Sequence, residues 1–146
     1  MAITQKDPNT IWLGGPRTEI NDLAASEVIK PGHLLVRFNN NGVIRLKKHA
    51  TAGGAAVKIV ATEQSMLNKG VDDTYAANDL VEASEFGPGA SAWMFINSGQ
   101  NISAGGLLES AGDGTLRTLA SGVALFAALE NKNATVSPTR IRVEAV

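Results

Sequence analysis

The feature that most constrains the fold of this chain is that it states one supersecondary plan twice. From Pro31 it reads PGHLLVRFNNNGVIRLKK, and from Ala104 it reads AGGLLESAGDGTLRTLA. Gly32, Leu34 and Leu35 match Gly105, Leu107 and Leu108, and Ile44-Arg45 matches Leu116-Arg117 after a polar turn that contains Gly. Each copy then passes through a Gly/Ala-rich step into an apolar run ending in an acid, AAVKIVATE at Glu63 and VALFAALE at Glu130. This is a strand-turn-strand-loop-strand unit used twice, and repetition of one unit argues for a scaffold rather than for a particular chemistry.

Within and between the units the hydrophobic period is two. His33 to Phe38 and Val43 to Lys47 flank Asn39-Asn40-Asn41-Gly42, and Asn-Gly between apolar alternations is the strongest short-range hairpin signal. Val43, Arg45 and Lys47 share one face of the second arm and Ile44 and Leu46 the other. Ala56 to Thr62 alternates in the same way, the residues from Gln64 to Asn68 suit a helical turn, and Lys69 to Asp73 is a loop. Asp79 to Ala83 and Ser91 to Asn97 read as a strand pair joined through Phe86-Gly87-Pro88-Gly89. Trp93 and Phe95 lie on one face of the later strand and Met94 and Ile96 on the other, which marks it as central. Ala111 to Gly114 is the turn of the second unit, and Thr139 to Val146 closes the chain with Ile141, Val143 and Ala145 opposing Arg140, Arg142 and Glu144. About nine short strands and 15 glycines predict an all-β protein, a small β-barrel or sandwich.

A chain of 146 residues suits one core that buries roughly 70% of its unfolded surface. We assign residues 31–146 to a single β-rich domain and residues 1–30 to an extended N-terminal arm. In that arm Lys6-Asp7-Pro8-Asn9-Thr10 is turn chemistry, Gly14-Gly15-Pro16 is a breaker, and Ile11-Trp12-Leu13 is an apolar cluster between them. Two readings fit the cluster: Trp12 plugs its own domain, or Ile11, Trp12 and Leu13 land on another chain, where a Trp anchor gives large contact area at small entropy cost. Arg17 would then find a carboxylate on the partner. Aromatic residues are only 5% and alanine is frequent in the strands, so the core is thin and gains from a partner that binds only the folded state.

Charge and composition narrow the function. A net charge of -1 with 18% charged residues offers no basic field for nucleic acid, and no apolar run approaches the roughly 18 residues of a membrane span. The N-terminus lacks the apolar stretch of a signal peptide. There is no cysteine, hence no disulfide or thiolate site. His33 and His49 stand without a carboxylate neighbour or metal-ligand spacing, and DDTYAANDLVEA from Asp72 lacks the alternating acids and central Gly of a calcium loop. Gly53-Gly54 precedes no Lys-Ser/Thr, and no GxSxG elbow is present. We therefore expect a non-enzyme without metal or cofactor.

The segments GHLLVRFNNNGVIRLKK, GVDDTYAANDLVEA (Gly70, Val71, Asp72, Asp73, Tyr75, Asp79, Val81), SAGGLLESAGDGTLRTLA and RIRVEAV (Arg140 to Val146) are together similar to the head decoration, or capsid cementing, proteins of tailed bacteriophages. Residues 51–64 also resemble the central segment of lambda-type head-stabilising proteins. The resemblance covers Pro31 to the C-terminus and leaves the arm uncovered. It implies a β-tulip-like or barrel core that is made in the host cytoplasm and binds the outer surface of the expanded virion shell. There it would bridge neighbouring major capsid subunits as a homo-oligomer, a trimer or a dimer. A carbohydrate-binding or adhesin-like β domain is the alternative, with Trp12 or Trp93 stacking on sugar.

Overall fold

The computed structural model describes residues 8–135 and 137–146. Thirteen strands run through them: β1 (Trp12–Gly14), β2 (Arg17–Ala24), β3 (Leu34–Asn40), β4 (Val43–Lys48), β5 (Ile59–Ala61), β6 (Leu80–Phe86), β7 (Ser91–Ile96), β8 (Gln100–Ile102), β9 (Leu107–Ser110), β10 (Leu116–Thr118), β11 (Phe126–Ala128), β12 (Lys132–Ala134) and β13 (Thr139–Ala145). A single 3-10 turn, Ser65–Leu67, stands where the helical turn was expected. The protein is all-β, as the period of two requires.

The strands close into two barrels of one topology. The first runs β2-β6-β5-β3-β4 and returns to β2 through a parallel bridge between Ala25 and Leu46. The second runs β7-β13-β11-β9-β10 and returns to β7 through a parallel pairing of Leu116 with Ile96. In chain order each barrel uses its first, fifth, fourth, second and third strand, so the repeat extends from two three-stranded units to two five-stranded rings. Equivalent hydrogen bonds set the correspondence residue by residue. Gly32 N–H donates to Ala61 O at 2.8 Å as Gly105 does to Ala128 at 2.7 Å, and Ser26 donates to Leu46 O at 2.9 Å as Asn97 does to Leu116 at 2.8 Å. Leu46, not Ile44, is therefore the counterpart of Leu116. The match by composition slipped by two residues, which a period of two permits without changing the face.

The β3–β4 hairpin forms where the Asn-Gly signal placed it. Asn41 and Gly42 carry φ of 53° and 88°, the two positive values that a type I′ turn demands, and Asn39 Oδ1 accepts from Gly42 N–H at 2.6 Å. β7 is central as its two apolar faces predict, paired to β1, β10 and β13. β6 and β7, expected to pair, do not. Residues 87–90 instead carry the chain from the last strand of one barrel to the first of the next, with Gly87 N–H on Pro16 O and Gly89 N–H on Ala145 O.

Two buried clusters follow from this. Leu35, Leu46, Ile59, Ala61, Val81 and Ala83 fill the first barrel, and their counterparts Leu108, Leu116, Phe126, Ala128, Ile141 and Val143 fill the second. The alternate residues Leu34, Val60 and Phe86 of the first barrel join the second cluster, so the barrels share a packed seam. This replaces the single core expected from length.

The arm is also corrected. The expectation for residues 1–7 lies outside the described residues, but residues 11–24 belong to the fold. β2 pairs with β6 from Arg17↔Phe86 to Ala24↔Leu80, with an irregularity between Ile20 and Leu23, and β1 pairs with β7. A five-stranded ring with β6 in it has no other strand available to satisfy the outer backbone groups of β6, and β2 meets that need.

Candidate functional site

Each residue named for the arm has a definite place. Ile11 is fully buried in the second cluster, its N–H on Glu63 Oε2 at 2.9 Å and its carbonyl accepting from Trp93 N–H at 2.9 Å. Trp12 is half-buried against the same cluster and carries the Arg17 guanidinium 3.9 Å from its ring centroid. Arg17 also pairs with Glu19 at 3.1 Å and reaches Ser84 Oγ at 3.3 Å. Leu13 alone of the apolar trio is exposed, at 45%. Trp12 thus plugs its own fold, and the carboxylate that Arg17 finds is within the chain. The reason is that Ile11 and Trp12 gain by burial in the cluster that also holds Phe86 and Ala92.

Trp12 and Arg17 nevertheless line an open cleft of about 230 Å³ with Thr10, Glu19, Thr62, Glu63, Glu82 and Ser84. It adjoins a shallower apolar groove of about 350 Å³ on Met66, Leu67 and Leu80, the two sharing Asn21 and Glu82. Sequence reasoning read residues 64–68 only as a turn. The signal available was Met66-Leu67 standing apolar inside a polar connection.

Two motifs noted in the sequence meet at the seam. Arg140 Nη1 donates to Asp72 Oδ1 at 2.9 Å and Nη2 to Pro31 O at 3.0 Å, while the guanidinium lies 4.6 Å from the Phe95 ring. Lys30 adds a second cation 3.7 Å from Asp72. The hydrogen bond from Arg140 holds the Asp72 carboxyl below its usual range. Asp73 accepts from Gly70 N–H at 2.7 Å, so both acids of the motif serve local structure. Tyr75 O–H donates to Thr62 O at 2.6 Å, and burial pushes its ionisation upward.

The histidines are built into the same seam. Buried His49 bridges Ser110 Oγ, 2.7 Å from Nδ1, and Ala55 O, 3.2 Å from Nε2. Ala55 O only accepts, so Nε2 is the donor of that contact, and in the neutral ring Nδ1 then accepts from the Ser110 hydroxyl. A Ser-His pair in this position is closed to substrate, since both residues are buried. His33 Nδ1 accepts from Lys30 N–H at 3.0 Å. Burial lowers its pKa to about 4, helped by the positive charges of Lys48, Arg140 and Lys30 and opposed by Asp113. Between 6.5 and about 4 the unfolded chain therefore binds a proton that the folded chain refuses. This contribution to stability is complete above 6.5 and falls by about 1.4 kcal/mol per pH unit through that window. Urea unfolding across the window should show this slope in the wild type and a flatter one in His33→Gln. Equal slopes would place the titration elsewhere.

Among the described residues no three His, Asp or Glu side chains converge as metal ligands, and no helix is long and apolar enough to cross a membrane. What the fold and its surfaces define is a double barrel with a composite polar and apolar surface. No family model and no curated protein matches this sequence. Among solved structures, the crystal structure of the N base of the head fiber protein gp8.5 of bacteriophage phi29 is similar, with a TM-score of 0.61 and 12% sequence identity. The likeness covers 90% of this chain and 95% of that chain, so it includes both barrels, and at this identity it is a likeness of fold.

Proposed function

We propose that this chain is a structural protein of a tailed-phage head. It sits on the outer surface of the expanded shell, binds the major capsid protein, and cements neighbouring capsid subunits as a homo-oligomer, trimeric or dimeric. The observation that carries the reading is the end-to-end likeness in fold to a phage head fiber base. The motif set from Pro31 to the C-terminus, similar to head decoration proteins, supports it independently. Two fused barrels whose strands are paired around each ring make a stiff block with few open edges, which suits a part that resists deformation. The carbohydrate-binding alternative loses ground, because Arg17 covers the Trp12 ring and Arg142 stands 5.9 Å over the Trp93 ring, where sugar would stack.

Purified protein added to expanded heads that lack it is expected to bind and to raise their melting temperature. It should leave unexpanded procapsids unbound, because a bridge that fits one arrangement of subunits fits poorly once they are displaced or rotated. Equal binding to both shells would remove the cementing role, and binding to neither would remove the head reading.

A further inference from the structure

The two barrels share a plan, so the places where they differ bear on what one of them does alone. The connection between fourth and fifth strands spans residues 62–79 in the first barrel and 129–138 in the second. The longer one carries the 3-10 turn, with Met66 86% and Leu67 63% exposed, and Leu80 at its end is 56% exposed. Three large apolar side chains around one groove differ from the single exposed Leu or Val that any surface tolerates. Beside it, the cleft that shares Asn21 and Glu82 with the groove is lined by Glu19, Glu63 and Glu82 against one cation, Arg17. Arg17 is already held by Glu19 and the Trp12 ring. Among the described residues no Lys or Arg lies within 4 Å of the Glu63 or Glu82 carboxylate.

We infer that this surface docks a segment of the major shell subunit in which an apolar side chain is flanked by Lys or Arg. The inference rests on the reading of the preceding section. The apolar residue enters the Met66, Leu67 and Leu80 groove and is removed from water. The neighbouring cation meets Glu63 and Glu82, which no Lys or Arg among the described residues neutralises. Complementarity of charge selects the occupant, since an acidic or neutral segment would leave both carboxylates desolvated without a partner.

The test titrates the intact protein onto expanded heads that lack it, comparing wild type with Met66→Ser/Leu67→Ser and Glu63→Gln/Glu82→Gln. The exposed turn tolerates the first pair, and in the second the amide that replaces the Glu63 carboxylate keeps an acceptor for Ile11 N–H, so circular dichroism should be unchanged in both. Met66→Ser alone serves if either double is unstable. The first pair is expected to weaken binding about tenfold or more, as loss of a buried anchor does. The second is expected to weaken it at low salt and to flatten its salt dependence. If the wild type binds and all variants bind within about twofold of it, the docking surface is wrong while the head reading stands. If the wild type does not bind, the head reading itself fails and takes the surface with it. If sedimentation shows wild-type self-association that Met66→Ser/Leu67→Ser abolishes while head binding persists, the groove holds a second copy, and the shell segment is overturned as its occupant.

Discussion

A chain that begins at residue 25 is expected not to fold. The truncation removes β2, whose ladder to β6 runs from Arg17↔Phe86 to Ala24↔Leu80, and with it the strand that closes the first barrel at Ala25–Leu46. It also strips out Ile11 and Ile20, each buried to within 6% of full enclosure, and the half-buried Trp12. Apolar side chains of this size each stabilise by about 1.5–3 kcal/mol when buried, so the three together approach the 5–15 kcal/mol that holds a typical domain folded. The unpaired edges of β6 and β4 would then invite aggregation. Circular dichroism and size-exclusion chromatography should show loss of the native strand signal and a shift to aggregates. A monomeric product with wild-type strand content that merely fails to bind heads would restore the free arm.

The second large effect is expected from one methyl group at the seam. Gly122 lies so close to the Gly53 backbone and the Glu109 carboxylate that a Cβ there would overlap both. Its N–H donates to Glu109 Oε2 at 2.7 Å, and Glu109 is buried with its other oxygen on Arg117 Nε at 2.8 Å. Although burial works against the charge, Arg117 and the N–H groups of Gly122 and Ala120 hold the Glu109 carboxyl below its usual range. Gly53 N–H meanwhile donates to Ser110 O at 2.8 Å and its carbonyl accepts from Val123 N–H at 2.9 Å, which locks the first-barrel loop onto the second barrel. Backbone cannot yield as a flexible side chain would. Gly122→Ala should therefore cost about 3 kcal/mol or more and lower the melting temperature by roughly 10 °C. Gly14→Ala, where a Cβ meets nothing within 4 Å, is the matched control and should melt close to wild type. Coincident melting of Gly122→Ala and wild type would show that the seam opens at little cost.

Local chemistry was readable without coordinates. Asn41-Gly42 defined the hairpin because only such residues accept positive φ at both central positions. Trp93 to Ile96, apolar on both faces, announced a central strand, and the Gly-x-Leu-Leu match announced a repeat whose third strands, Ile59–Ala61 and Phe126–Ala128, pair alike with the first, Val60↔Leu34 and Ala127↔Leu107. β2 was missed for a physical reason. RTEINDLA buries only Ile20 fully and breaks its register before Leu23, so its alternation is too weak to read locally. β8 and β12, three residues each, carry even less pattern. The cleft was half legible: Trp12 and Arg17 were singled out, but Glu63 with Met66 and Leu80 with Glu82 come from two further stretches that only the ring of β2, β6 and β5 brings beside them. By itself the sequence determined the period, the turns and the duplication, because these depend on neighbours along the chain. Ring closure, the place of the first strands and the joining of the barrels across Gly53 and Gly122 were decided by the tertiary structure, because each depends on backbone groups far apart in sequence finding partners, and no local pattern encodes which partner is near.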